Sequence, residues 1–222
     1  MVKIPAWSYS SIKTYDQCPK KYYHLKVAKD VVEPPTDATT YGKQFHSAAE
    51  HYVRDDVPLP PQFKFVKGAL DSLKNLDGDK YCEYEMGLTE NLEPCGFKDP
   101  NVWWRGIADL LVVNGEEARC VDYKTGKSAK YADTDQLELM ALAIFKHFPQ
   151  VKRVKAGLLF VVSKNFIKDS YDCENQDKMW AKWFAEHNRM KFSYANNVWN
   201  PRPSGLCKKH CLVLECAHNG RN

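Results

Sequence analysis

The sequence predicts an α/β fold in which a central β-sheet is flanked by helices. Strand-like apolar runs occupy residues 81–88, 103–113, 121–125 and 154–163, while residues 42–53, 63–76, 136–148 and 172–192 read as helices. Asn114-Gly115, between two of the strand-like runs, is a strong short signal of a hairpin. With 44% hydrophobic residues, a chain of 222 residues can bury one full core. A single domain over 1–222 is therefore expected. Within it lie a helical part at 1–80, a sheet core at 81–170, a helix at 171–198 and a cysteine-rich tail at 199–222.

Charge and hydropathy narrow the function classes. Lys and Arg total 32 against 28 Asp and Glu, a net charge of +4, which allows a local basic groove without demanding a polyanionic partner. No segment reaches the apolar length of a membrane span. Met1-Val2-Lys3-Ile4-Pro5 lacks the apolar run of a secretion signal, so an intracellular setting is expected. In that setting eight cysteines argue against a disulfide scaffold and for metal-binding or catalytic use of some of them.

From the N-terminus, Ser8-Tyr9-Ser10-Ser11 offers helix caps, and Ile12, Tyr15, Tyr22 and Leu25 mark an amphipathic segment that Pro19 divides. The helix at 42–53 turns Phe45, Ala48, Ala49, Tyr52 and Val53 to one side and carries His46. Residues 56–61 are a proline-rich connector before the helix at 63–76. The run 81–88 alternates as a half-buried strand does, with Cys82, Tyr84, Met86 and Leu88 on one side and Tyr81, Glu83 and Glu85 on the other. Its acids read as solvated, with Glu85 a secondary candidate for a site. Asp133-Thr134-Asp135 caps the helix at 136–148, and Gln136 stands in its first turn, where it can face back to a site. Residues 154–163 form a buried strand. Trp180, Trp183, Phe184 and Met190 give the helix at 172–192 an aromatic stripe that reads as core.

The chemistry gathers at Asp122-Tyr123-Lys124. In a strand, residues two apart share a face, so Asp122 and Lys124 project together: a carboxylate for a divalent cation and an ammonium for a phosphate or a metal-bound water. Asp109 lies inside Ile107-Ala108-Asp109-Leu110-Leu111, where a charge is unfavourable unless paired or bound to metal. If Asn114-Gly115 is a two-residue loop, Asp109 faces Cys120 and is diagonal to Asp122. If residues 114–117 are the loop, Asp109 faces Asp122 directly. Both registers bring the two carboxylates and Lys124 to one face, and a three-residue loop would separate them.

The tail has no regular pattern but holds Cys207, Cys211 and Cys216, with His210 and His218 nearby. Such clustering is the mark of a metal site. Three thiolates call for a fourth ligand, with Cys18 in Gln17-Cys18-Pro19 the remote choice and His210 or His218 the local ones. Cys82, Cys95, Cys120 and Cys173 are scattered and read as ordinary thiols.

In this order, Ser8 to Tyr23 with its Cys18-Pro19, Gly42-Lys43-Gln44-Phe45-His46, Gly106-Ile107-Ala108-Asp109, Asp122-Tyr123-Lys124-Thr125-Gly126 and the helix opening at Gln136 resemble the PD-(D/E)XK nuclease superfamily. The likeness is to its RecB-like exonuclease branch, which includes iron–sulfur exonucleases of CRISPR adaptation and small phage nucleases. Met140 stands where that family usually has tyrosine. The resemblance implies a mixed sheet of the restriction-endonuclease type and a metal-dependent DNA exonuclease of phage or bacterial recombination, repair or degradation, in a bacterial cytoplasm or an infected host. It implies Mg²⁺ or Mn²⁺ held by His46, Asp109, Asp122 and the Tyr123 carbonyl, with Lys124 and Gln136 completing a catalytic set with Asp109 and Asp122. It also implies a structural [4Fe-4S] cluster on Cys18, Cys207, Cys211 and Cys216, with Zn²⁺ as the alternative. The expected partner is DNA, as single strands or duplex ends, with a homo-oligomer or a recombination partner protein beside it and no membrane. Two rival readings are an endonuclease or resolvase of the same superfamily and a non-catalytic, zinc-type nucleic-acid-binding module.

Overall fold

The computed structural model describes residues 4–130 and 132–221. Met1, Val2 and Lys3, part of the stretch read against a secretion signal, lie outside them. The chain divides into two compact units, one made of residues up to Pro35 together with Ala181 onward, the other Thr36–Trp180. No helix among the described residues is long and apolar enough to cross a membrane.

The first unit opens with α1 (Tyr9–Gln17), started by a reciprocal capping box. The Ser8 hydroxyl accepts from the Ser11 N–H at 3.3 Å, and the Ser8 N–H donates to the Ser11 hydroxyl at 2.9 Å. Pro19 divides the segment as the sequence indicated. Cys18 ends α1 and also caps α2 (Pro19–Tyr22), with Pro19 at the first helical position, where its missing N–H does no harm.

In the second unit α3 (Asp37–Asp55) begins earlier than residue 42 because Thr36 and Thr39 form a second capping box. A 3-10 turn over Pro61–Val66 then leads into α4 (Lys67–Lys74), so the expected helix at 63–76 is two elements. The sheet comprises β1 (Asp79–Leu88), β2 (Pro94–Cys95), β3 (Trp104–Asn114), β4 (Glu117–Lys124), β5 (Arg153–Phe160) and β6 (Asn165–Asp172), in the order β2-β1-β3-β4-β5-β6. Only β4 and β5 run parallel, joined through the crossover helix α5 (Asp135–His147), so the sheet is mixed and flanked by helices. Thr134, at the cap position of α5, makes no side-chain capping bond; the Asp133 carboxylate instead accepts from the Asp135 N–H at 3.1 Å.

One face of the sheet packs on α3 and α4 through Phe45, Ala49, Phe63, Leu70, Leu110 and Tyr123. The Phe45 ring is fully buried, with the Phe63 and Tyr123 rings edge-on at 5.4 and 5.6 Å. Near one end of β1 the pleat slips. Tyr81 and Tyr84 are three residues apart, yet both lie tilted against Phe148, with ring centroids at 5.4 and 5.6 Å, which strict alternation forbids. The slip lies at Glu83, whose φ is +49° and whose position is skipped in the β1–β3 ladder. The clean alternation expected for 81–88 is therefore corrected: Cys82 packs toward the α3 side, and Tyr84 joins Tyr81 on the other.

The last helix, α6 (Gln176–Asn196), starts later than residue 172 because β6 and a 3-10 turn occupy that stretch. In the first unit its residues close the core. Trp7 stacks on Trp183 and His187, Tyr15 shares a hydrogen bond with Ser193 at 2.7 Å, and Tyr22 one with Tyr194 at 3.0 Å. Trp183 and Met190 are buried, so in this unit the aromatic stripe is core, as read.

Phe45→Ala removes the ring that packs on both Phe63 and Tyr123, and is expected to destabilise the protein by about 3–5 kcal/mol. Chemical denaturation checks this; a loss below about 1 kcal/mol would place that ring outside the core.

Candidate active site

Strands β3 and β4 pair from Asn114↔Glu117 to Leu110↔Val121 and then part, β3 continuing on β1 and β4 on β5. The turn is Gly115-Glu116, one residue later than Asn114-Gly115, because Gly115 takes the positive φ of +58° that such a tight hairpin needs. The register is the one that sets Asp109 across from Asp122. At the fork the Tyr123 N–H has lost its cross-strand partner, and the Asp109 Oδ2 accepts from it at 2.6 Å. Asp109 is thus buried and oriented by backbone.

On the next positions of β4, Lys124 Nζ lies 2.8 Å from Asp122 Oδ2 and donates to Gln136 Oε1 of α5 at 3.0 Å. The ammonium approaches Asp122 outside hydrogen-bonding angles, so that buried oxygen carries an ion pair without a hydrogen bond. From the other side α3 brings His46, with Nε2 3.2 Å from the Tyr123 carbonyl oxygen and Nδ1 3.2 Å from Asp109 Oδ1. Gly42, one turn earlier, lets α3 come close: a Cβ there would sit 3.3 Å from the Thr125 hydroxyl. All residues expected at the catalytic and divalent-metal site, His46, Asp109, Asp122, Tyr123, Lys124 and Gln136, are therefore in this neighbourhood.

Glu85 is not. It is exposed, pairs with Ile107 and makes none of these contacts. Glu83 takes its place, with Oε1 3.6 Å from His46 Nδ1. Ligand atoms of His46, Glu83 and Asp109 all lie within 4.8 Å of one another. Sequence reading set Glu83 among solvated acids because the signal that singles it out, its position across from Asp109, depends on a β1–β3 register that no short turn announces.

Neighbouring charges and burial shift the titration of this group. Burial works to lower the His46 pKa, but the Asp109 and Glu83 carboxylates outweigh it and raise it to about 10. Burial and the Asp109 charge push Asp122 up to about 6, against the pull of Lys124 and Gln136. Facing carboxylates, a free carbonyl lone pair and one imidazole are a donor set for a hard divalent ion, Mg²⁺ or Mn²⁺.

The cysteines expected to hold a cluster lie in the first unit. Cys18, Cys207, Cys211 and Cys216 line one cavity of about 20 Å³, which His218 borders and His210 does not. The N–H groups of Lys21 and Arg202 point at Cys18 Sγ at 3.5 and 3.4 Å, and that of Ser204 at Cys207 Sγ at 3.3 Å. The ligand sets tight enough to lie within 4.8 Å are, among the described residues, His46–Glu83–Asp109 and His24–Asp30–Glu215, not the cysteines. Zinc–thiolate bonds of about 2.3 Å would hold four sulfurs less than about 4 Å apart.

A mixed sheet forked at a carboxylate–lysine pair, with flanking helices supplying a histidine and a glutamine, defines a nuclease of the restriction-endonuclease class. The sequence model of the PD-(D/E)XK nuclease superfamily matches residues 6–77 and 65–216, and the chain belongs to that superfamily. No curated protein matches the sequence. Among solved structures, an exonuclease candidate from Eubacterium rectale is similar in fold at 12% identity and a TM-score of 0.55, over 91% of this chain and 85% of that one. The protein SSO0001 overlaps 99% of this chain and 90% of its own at 14% identity, with a TM-score of 0.44.

The raised Asp122 pKa has a consequence for stability. A carboxyl that holds its proton more tightly in the folded state contributes stability present at low pH and lost as pH rises from about 4 to about 6. In EDTA, Asp122→Asn is therefore expected to be more stable than wild type at pH 8 and no more stable at pH 4. Denaturant midpoints at the two pH values check this, and an Asn variant weaker at pH 8 would contradict it.

Proposed function

We propose that this nuclease is a Mg²⁺- or Mn²⁺-dependent deoxyribonuclease that degrades DNA from ends, serving recombination, repair or DNA degradation in bacteria or phage. The observation that carries the reading is Asp109 set across from Asp122 at the strand fork, with Lys124 beside them and His46 opposite. His46, Asp109, Asp122 and the Tyr123 carbonyl would hold the metal, with Glu83 in reach. When bound, a divalent cation there polarises a phosphate oxygen and lowers the pKa of a ligated water. Lys124, steadied by Asp122 and Gln136, stands to orient the attacking water and to stabilise charge developing on the phosphate. Gln136 acts as a positioning residue, its Oε1 accepting from the Lys124 ammonium.

Exonuclease rather than endonuclease action is the finer reading, supported by the motif set and by the name given to the Eubacterium rectale structure. The four cysteines are read as the ligands of a structural [4Fe-4S] cluster, supported by their common cavity and by the N–H groups aimed at sulfur. Zinc remains the alternative occupant.

Asp122→Ala and Lys124→Ala are each expected to lower degradation of linear DNA in Mg²⁺ or Mn²⁺ by at least about 100-fold while the protein stays folded. Covalently closed single-stranded circles should resist the wild type. Wild-type rates in both variants would overturn the site, and rapid cutting of circles would make the protein an endonuclease. For the cluster, anaerobically purified protein should be brown and contain iron and acid-labile sulfide, both lost in Cys211→Ser; zinc without iron would replace the cluster by a zinc site.

A further inference from the structure

The fold brings to the strand fork one carboxylate that the expected ligand set leaves out. The β1–β3 ladder pairs Cys82 with Leu110 and Tyr84 with Ala108, and between those pairs Glu83 stands directly across from Asp109. Like charges set across a ladder repel. The backbone adds a second unfavourable term, since the Glu83 φ of +49° lies in the left-handed region that a residue with a Cβ avoids. Strained backbone of this kind persists where the surrounding fold imposes it, and it clusters at ligand clamps. Here it accompanies a carboxylate aimed at the site: Glu83 Oε1 is 3.6 Å from His46 Nδ1, and Asp109 Oδ1 is 3.2 Å from the same nitrogen.

The imidazole shows what the two carboxylates surround. His46 Nε2 lies 3.2 Å from the Tyr123 carbonyl oxygen, and in the neutral tautomer that donates there, Nδ1 carries the lone pair of the ring. Three electron-pair donors from His46, Asp109 and Glu83 then converge within 4.8 Å of one another. Metal-bound histidines are held in this way, with one nitrogen on the ion and the other N–H on a backbone carbonyl. A proton on Nδ1 would also relieve the crowding, but it serves Glu83 poorly. Asp109 is the nearer acceptor, and 3.6 Å is beyond hydrogen-bond distance for Glu83. A partly exposed ion pair at that range contributes little and does not offset the backbone strain.

We propose that Glu83 is a ligand of the divalent cation, joining His46 and Asp109 around one ion of the Mg²⁺ or Mn²⁺ class. The charge balance fits. Ionised Glu83, Asp109 and Asp122 against the Lys124 ammonium leave two negative charges, which one divalent cation neutralises; without Glu83 a single charge would remain. This inference rests on the proposed cation site and deepens it by adding a third carboxylate, supplied by a strand outside the motifs.

The test is Mn²⁺ binding to EDTA-stripped protein without DNA, read from the EPR signal of free Mn²⁺ during titration. Glu83→Gln keeps the shape and removes the charge, and is expected to weaken binding by at least about tenfold. Glu85→Gln, on the same strand but outside the site, should leave it unchanged. Glu83→Gly removes the carboxylate and suits a left-handed backbone; it is expected to melt at or above wild type in EDTA and to bind Mn²⁺ as weakly as Glu83→Gln. Wild-type or tighter affinity in Glu83→Gln would overturn the assignment, because an acid that only pairs with a protonated His46 competes with the ion. Wild-type affinity in Glu83→Gly would overturn it as well, and so would an equal loss in Glu85→Gln, which would mark a general effect of surface charge. If Mn²⁺ binding depends on Glu83 and no DNA is cleaved, the nuclease reading fails and the ligand stands. If DNA is cleaved and Glu83→Gln binds Mn²⁺ as wild type, the ligand assignment alone fails.

Discussion

The arrangement of the candidate active site depends on one hydrogen bond, from the Tyr123 N–H to the Asp109 carboxylate at 2.6 Å. Where β3 and β4 part, the sheet would leave a buried backbone donor without a partner, a costly state. Asp109 supplies the acceptor and in doing so is fixed beside Asp122. The same parting leaves the Tyr123 carbonyl within reach of His46. One irregularity in the sheet thus orients a carboxylate, a carbonyl and an imidazole together, and the parallel β4–β5 pairing keeps Lys124 in line with Asp122.

The arrangement is locally unfavourable, as sites are. Asp122 keeps an oxygen buried on an ion pair alone, and Glu83 holds a left-handed backbone that a side chain with a Cβ disfavours. The surrounding core outweighs these terms: Phe45 and Phe63 seal the α3 side, and on the other side α5 buries Leu137, Ala141 and Ile144. The first unit shows the same logic on a smaller scale. Cys18 stands at a helix break forced by Pro19, and the backbone N–H groups of Lys21 and Arg202 converge on its sulfur.

Much of this was legible in the sequence, for a physical reason. Asp122 and Lys124, His46 and Gln136 sit in short periodic segments whose local pattern fixes the direction of each side chain. The hairpin illustrates both reach and failure: the turn moved by one residue, but the register still brought the carboxylates together, because a buried face punishes a slip of one. Glu83 escaped because its backbone conformation is imposed by the surrounding fold and leaves no trace in composition. Strand β6 escaped because Asn165, Lys168, Asp169 and Ser170 are exposed and break the apolar alternation a strand is read from. Met140 has a packing role in place of a hydroxyl. Its sulfur lies 3.2 Å from where a Cβ on Gly106 would stand, beside the Trp104 ring, a gap that a flexible thioether fills well.

The most direct measurement is anomalous diffraction at the manganese edge from crystals soaked in Mn²⁺. The expected result is a manganese peak ligated by His46, Asp109, Asp122 and the Tyr123 carbonyl, lost in Asp122→Ala crystals. A peak confined to His24, Asp30 and Glu215, or no peak at the strand fork at saturating Mn²⁺, would contradict the claim that the fork is built to hold a catalytic cation.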